Sequence, residues 1–244
     1  MPDTPQLPIF VITLDDCTDR QNVISQAFGD LGLSFEFVPA IDGRRGLAPE
    51  LHCQIDRTAG AYNLGRDISD AECAASLSHA SVYRRIVNQN LSHALIFEDD
   101  AILTPGVKTF VDSETYRAAD MVVLNHLNAR VMKTGEQIVF EDVLARPLAV
   151  PCFRAAAYSV SGKAAAWLLD AAFPIAMPPD WPADITQIGA LALDPEIVHH
   201  PPETPGQSTL SPGRTIRGRR SLGRLFDPSY ARRVWRKAQS EKIS

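Results

Sequence analysis

The sequence predicts an α/β fold with a largely parallel sheet and helices on its faces. Short β-branched apolar runs alternate with capped helical segments along the chain. The clearest of those runs, Ala94-Leu95-Ile96-Phe97, ends directly in Glu98-Asp99-Asp100, at the strand end where open α/β sheets bind ligands. With 244 residues and 45% hydrophobic side chains the chain can bury one sizeable core. The expected organisation is one domain over residues 1–213 and a basic tail over residues 214–244.

The elements follow in order. Pro8 precedes Ile9-Phe10-Val11-Ile12-Thr13-Leu14, a buried-strand pattern that stops at Asp15-Asp16. Thr18 with Gln21 three residues on reads as a capping box opening a helix that Gly32 ends. Ser34 to Val38 reads as a second strand, closed by the Asp42-Gly43 turn. Residues 44–68 show no period and read as mostly loop. A second capping box, Ser69 with Glu72, opens a long helix to about Asn88, and the acid-ended strand follows. Later candidates are strands at 121–124, 156–160 and 196–199, a helix at 162–172, and a helix from about Ala183 capped by Asp180 or Asp184.

Charge and composition exclude several classes. No stretch approaches the ~18 apolar residues of a membrane-spanning helix, and the amino-terminal residues are too acidic and their apolar run too short for a signal peptide. Cys17, Cys53, Cys73 and Cys152 are irregularly spaced, which fits free thiols in a reducing cytoplasm better than a metal site or a disulfide framework. The net charge of −5 is segregated: residues 214–242 hold ten Lys/Arg against two acids, leaving fourteen against twenty-seven elsewhere. In that tail, basic and aromatic residues interleave (Arg224, Phe226, Tyr230, Arg232, Arg233, Trp235, Arg236, Lys237), a pattern suited to the anionic inner-membrane surface. Nucleic acid is not the expected partner, because the acidic body would be repelled by a polyanion.

Three consecutive carboxylates repel one another, and a divalent cation relieves that repulsion; hard oxygen ligands suit Mn2+ or Mg2+. A nucleoside diphosphate would complete such a shell and leave with its charge neutralised. On the helix that follows Ser69, Glu72, Ser76, His79 and Tyr83 are spaced four, three and four apart and form one polar stripe. That stripe either faces a pocket or consists of a cap acid and a buried, hydrogen-bonded histidine.

Several blocks, in order, resemble glycosyltransferase family 25, which includes bacterial lipooligosaccharide galactosyltransferases and the collagen galactosyltransferases. Phe10 to Leu14 with Arg20 resembles the family's opening strand and following arginine, and Phe35 to Gly43 its second strand and Asp-Gly turn. Ala71-Glu72-Cys73-Ala74-Ala75-Ser76-Leu77-Ser78-His79 is similar to the family's Gly-Glu-Ile-Gly-Cys-Ala-Leu-Ser-His, and Ala94 to Asp100 to its acidic strand end. The resemblance covers roughly residues 8 to 210. It implies a GT-A-like fold, a Rossmann-like nucleotide-binding sheet, and a hexose, by family weight galactose, moved from a UDP-sugar to a saccharide or glycolipid acceptor. It also implies roles: Asp100 and Glu98 at the metal, and Thr13, Leu14, Arg20, Asp42, Glu72, Ser78, His79, Glu98 and Asp99 around the nucleotide sugar.

An inverting transfer needs a base for the acceptor hydroxyl. Asp180, in Pro178-Pro179-Asp180-Trp181, resembles the family's Pro-Val-Asp segment and is the first candidate; Asp184 is the second. Trp181 would offer a flat face for a sugar ring, and His199-His200 a further ligand for metal or phosphate. The sequence departs from the family at Arg154-Ala155, where relatives have Gly-Thr, and at Ala71 and Ala74, where they have glycine. The rival readings are a non-catalytic nucleotide-sugar-binding relative and a metal-dependent phosphohydrolase.

Overall fold

The computed structural model describes residues 7–201 and 228–244. β1 (Ile9–Thr13), α1 (Thr18–Asp30), β2 (Glu36–Pro39), α2 (Arg57–Leu64), α3 (Asp70–Asn88), β3 (His93–Glu98), β4 (Ile102–Leu103) and α4 (Gly106–Asp112) form the first half. β5 (Met121–Val123), β6 (Arg130–Met132), β7 (Gln137–Phe140), β8 (Val143–Val150), β9 (Ala157–Ser161), α5 (Gly162–Ala172), β10 (Leu191–Asp194), β11 (Val198–His199), α6 (Pro228–Ala238) and β12 (Ser240–Lys242) follow.

A 10-stranded sheet runs in the order β12-β6-β8-β10-β5-β9-β3-β1-β2, with β7 paired to β8 off that path. β1 is parallel to β2 and β3, β10 is parallel to β5, and β9 lies antiparallel between β3 and β5. β2, β1, β3, β5 and β10 therefore point the same way, as the strand and helix alternation predicts, and share a carboxyl-end rim. Beyond β10 the pairing is antiparallel through β8, β6 and β12.

Alternation along the central strands sorts their side chains into two cores. Phe10, Ile12, Ala94 and Ile96 pack beneath α3 and α5 with Val82, Ile86 and Leu168, while Ile9, Val11, Leu95 and Phe97 pack beneath α1 and α4 with Ile24, Phe28 and Phe110. A smaller cluster, including Leu47, Ile68, Leu77 and Ile175, joins α2 and the 40s loop to α3.

The structure revises several local expectations. Thr18 is not a cap: α1 begins after Cys17 with no side-chain cap bond, and the Gln21 amide instead donates to the Leu14 carbonyl at 2.9 Å. Residues 44–68 are not mostly loop. They contain a 3-10 turn (Pro49–Gln54) and α2, which Asp56 caps through the Ala59 amide at 2.8 Å and which left-handed Gly65 ends. The expected helix near Ala183 is one 3-10 turn, Ile185–Ile188. The strand expected at 196–199 pairs with β4 outside the large sheet. β12 pairs with β6, so the carboxyl-terminal residues add a strand to the sheet; the basic residues 214–224 lie outside the described residues. Among the described residues, no helix is long and apolar enough to cross a membrane.

Candidate active site

The carboxyl ends of β1 and β3 are hydrogen-bonded neighbours, so Thr13 and the Glu98-Asp99-Asp100 turn meet at the rim. Buried Asp99 accepts from the Thr13 hydroxyl at 2.7 Å and from Arg20 at 3.1 Å. Burial pushes its carboxyl up, and those two bonds oppose the rise only in part. Arg20, in the first turn of α1, also reaches Asp100 at 3.4 Å. The family resemblance put Arg20 at the donor; the structure puts it against both acids.

β4 starts two residues after Asp100, and its pairing with β11 carries His200 to the acid turn, 3.5 Å from Asp100 Oδ2. The other ring nitrogen, Nδ1, lies 2.7 Å from the Pro201 carbonyl, which can only accept. Both nitrogens therefore face acceptors, and the imidazolium is favoured, its pKa raised by the Asp100 hydrogen bond against burial. Burial works to raise the Asp100 pKa, but His200 and Arg20 together hold it below its ordinary value. The second oxygen, Asp100 Oδ1, is buried with no hydrogen-bond partner among the described residues. A buried, unsatisfied carboxylate oxygen is costly unless something comes to it.

Glu98 is engaged from α3. His79 Nε2 lies 3.0 Å from Glu98 Oε1, His79 Nδ1 lies 2.9 Å from the Tyr158 hydroxyl, and Tyr158 lies 2.8 Å from the Tyr83 hydroxyl. A carboxylate only accepts, so Nε2 carries a proton; with the ring neutral, Nδ1 then accepts from Tyr158, and Tyr158 accepts from Tyr83. Burial drives both tyrosine pKa values up, Tyr158 especially, so they act as fixed dipoles. Tyr158 was invisible as a site residue in the sequence, because a tyrosine in an apolar strand reads as core.

The α3 stripe divides. Glu72 is fully buried; it completes the Ser69 capping box and receives a fork of bonds from Arg66 at 2.8 and 2.5 Å. Burial raises its pKa, and the Arg66 and Ser69 bonds more than offset that, leaving it below its ordinary value. Ser76, His79 and Tyr83 line a cavity of about 320 Å³ whose far wall includes Met177, Pro178, Pro179 and Pro182. Ser78 faces the other way, accepting the Ile41 amide at 2.8 Å and so fixing the chain leaving β2. Gly43 in the following turn is demanded by closeness: a Cβ there would lie 2.5 Å from the Asp70 carbonyl and 2.7 Å from the Ala74 methyl. Asp42 sits at this rim bound to Arg44, whose hydrogen bonds bring its pKa to about 2.

Asp180 Oδ1 accepts the Arg154 amide at 2.8 Å, which ties the proline-rich segment to the loop entering β9. Asp184 is engaged as a cap, taking the Thr186 amide at 3.0 Å and the Thr186 hydroxyl at 2.6 Å. Trp181 does not offer a face to a sugar: it is 5% exposed, its indole N–H donates to the Cys152 carbonyl at 2.8 Å, and its ring meets Tyr158 edge-on. Among the described residues, no three His, Cys, Asp or Glu side chains converge as a ready-made metal site, and the four cysteines are free.

Comparison with known proteins bears on what this rim does. Residues 6–182 match the family model of glycosyltransferase family 25 (LPS biosynthesis protein). A Haemophilus influenzae protein named provisionally as a glycosyltransferase is 29% identical over 168 residues, 66% of this chain and 56% of that protein. The lacto-N-neotetraose biosynthesis glycosyltransferase LgtE of Neisseria gonorrhoeae is 25% identical over 169 residues, 66% of this chain and 59% of its own length. A bovine protein named a "probable inactive" family 25 member is 30% identical over 100 residues, 38% of this chain and 16% of that protein. The aligned region thus spans somewhat over half of the bacterial relatives' length.

Proposed function

The chain belongs to glycosyltransferase family 25, and from that premise we propose that it transfers a hexose, galactose by family weight, from a UDP-sugar to a lipopolysaccharide or other cell-surface saccharide. The single observation that carries this reading is the rim at Asp100: a buried carboxylate oxygen with no partner among the described residues, flanked by cations, at the carboxyl end of a Rossmann-like sheet. A GT-A-type site has this need, because a divalent cation and the diphosphate it carries would together complete what the protein leaves open.

Asp100 and Glu98 would hold Mn2+ or Mg2+. The donor set suits a cation that arrives with the nucleotide: Asp100 has one open oxygen, Asp99 is taken up by Thr13 and Arg20, and Glu98 keeps one oxygen on His79. Such ions are commonly held by one or two carboxylates plus substrate phosphates. When bound, the ion would neutralise charge on the leaving diphosphate. Thr13, Leu14 and Asp42 line the side of the rim assigned to the nucleoside, and Glu72, Ser78 and His79 shape it through the contacts above. Asp180 is the proposed base for the acceptor hydroxyl in an inverting transfer. Asp184, one of whose oxygens takes two bonds from Thr186, is the second candidate.

The acceptor's class supports a working place on the cytoplasmic face of the inner membrane, with the basic carboxyl-terminal residues against anionic lipid. Thermal unfolding with UDP-hexoses, with and without Mn2+, tests the donor reading: a UDP-sugar should raise the melting temperature of wild type when Mn2+ is present. Asp100→Asn should keep the fold by circular dichroism and lose that metal-dependent shift. An equal shift in both proteins sinks the assignment. The bovine relative named "probable inactive" gives the binding-only alternative a footing; turnover with a saccharide acceptor separates the two.

A further inference from the structure

Phe153 is an aromatic side chain that the fold turns outward at the rim. Among the described residues it is the one exposed phenylalanine, with 52% of its surface open. A lone exposed apolar side chain is ordinary on a protein surface; what sets this one apart is the backbone that carries it. Phe153 stands in the connection between β8 and β9. Because β9 runs against β3 and β5, that connection enters it at the carboxyl-end rim.

Both peptide groups that flank the Phe153 side chain are fully hydrogen-bonded. The Phe153 amide donates to the Leu127 carbonyl at 3.0 Å and its carbonyl accepts the Leu127 amide at 2.9 Å, an antiparallel bridge to the chain leaving β5. Just before it, the Cys152 carbonyl accepts the Trp181 indole N–H at 2.8 Å; just after it, the Arg154 amide donates to Asp180 at 2.8 Å. Two residues further on, the Ala156 carbonyl accepts the Glu98 amide at 2.9 Å, which stitches the loop to the acid turn. Side chains in a strand bridge stand out of the plane of its hydrogen bonds, so the ring rises from a fixed backbone held between Leu127 and Asp180. Trp181 keeps its own ring buried and uses its N–H to hold this loop; the open ring belongs to Phe153.

We propose that the Phe153 ring is the platform on which the acceptor's terminal sugar stacks, an inference that rests on the glycosyl-transfer reading above. A pyranose has an apolar face of C–H groups, and the negative face of an aromatic ring attracts their partial positive charge. The sugar hydroxyls stay at its edge, open to water and to a base. The acceptor is assigned here because Asp180, the proposed base for its hydroxyl, holds the amide next to Phe153. The donor's diphosphate requires charged partners, which the Asp100 turn supplies and a neutral ring does not. A rigid aromatic anchor also binds at low entropic cost, since its backbone is ordered before the sugar arrives.

The test compares wild type with Phe153→Ala, Phe153→Leu and Phe153→Tyr in transfer kinetics and thermal melts. The donor is the UDP-hexose that raises the wild-type melting temperature, in Mn2+. The acceptor is surface saccharide released from cells that lack this protein, whose chains end unextended. Phe153→Ala should raise the acceptor KM about 10-fold, the scale of one lost aromatic contact. Its kcat and its calorimetric affinity for the donor should stay within about 3-fold, as for binding lost equally from ground and transition states. Phe153→Leu keeps apolar bulk without a flat face and should behave like alanine, whereas Phe153→Tyr should restore the acceptor KM to within about 3-fold. An unchanged acceptor KM in both Phe153→Ala and Phe153→Leu overturns this inference alone. Leucine rescuing as well as tyrosine shows bulk rather than stacking and overturns it too, and an equal loss for donor and acceptor overturns the assignment to the acceptor. Wild type that transfers nothing to this saccharide overturns the transfer reading and this inference together.

Discussion

Glu72 and Asp180 are both acids that sequence reasoning assigned to the site, and their surroundings give them different work. Glu72 has no exposed surface and faces Arg66 and Ser69, so Glu72→Gln leaves half-buried Arg66 without its counter-charge. Breaking such a pair costs about 3 kcal/mol, and a denaturant titration at pH 7 should show a loss of that order. Because the folded pKa of Glu72 lies below its unfolded value of about 4.3, its contribution is complete above that unfolded value. It disappears as pH falls through the lower folded value, so the gap between wild type and variant should narrow below about pH 4. A gap that is constant down to the acid transition would mean the Arg66 pair is not what Glu72 supplies. Asp180→Asn keeps an oxygen to accept the Arg154 amide, so donor affinity should hold while transfer falls by about two orders of magnitude or more. An unchanged turnover number would take the base away from Asp180. The Glu72 capping box, the Asp184 cap and the strand-end acids were legible in the sequence because they act within a few residues of themselves. The Arg66, Tyr158 and His200 partners were not, because those contacts are made between segments far apart in the chain or between a loop and a helix.

At the scale of elements, α6 is the least expected. Arg236 is tied to the body, donating to the Leu148 carbonyl at 2.7 Å and the Thr186 hydroxyl at 2.9 Å. At 100° per residue, Val234 and Ala238 lie about 160° around the helix from Arg236, and Val234 and Trp235 are 50% and 60% exposed. The helix is therefore held by a polar side and turns apolar groups outward, with Arg232, Arg233 and Lys237 exposed beside them. An in-plane membrane helix has this arrangement, apolar face toward the acyl chains and basic groups at the headgroups. Trp235→Ala and the charge reversal Arg232→Glu with Arg233→Glu should each reduce co-sedimentation with phosphatidylglycerol vesicles at low salt. Transfer to a soluble acceptor should continue, since neither change touches the rim. Undiminished sedimentation of both variants would remove the membrane role. The basic and aromatic interleaving was visible in sequence; which face turned outward depended on where Arg236 docked. α2 was missed because its capping signals, Asp56 and Gly65, flank a segment with little apolar period, and its partners Ile68 and Ile175 come from elsewhere.

At the scale of the whole molecule, the carboxyl terminus behaves as part of the sheet. β12 covers the edge of β6, Arg146 links Asp194 to Glu241, and the Ser244 hydroxyl lies 2.9 Å from His126. Truncation after residue 227 should therefore do more than remove basic charge. It exposes the β6 edge, and the shortened protein should melt at a lower temperature and elute with aggregates in size-exclusion chromatography; an unchanged melt and a monomer peak would show the strand to be dispensable. The sequence by itself determined the alternating two-sided strands, the Ser69 capping box, the acid turn after β3 and the family, since each is written in a local run of residues and in their order. Only the tertiary structure decided that β9 runs against its neighbours, that β4 and β11 bring His200 to Asp100, and that Trp181 is buried. The physical reason is that a strand's partner, a cation's acid and a ring's packing face are chosen by competition among all segments for the same core and the same hydrogen bonds, and that competition has no local signature.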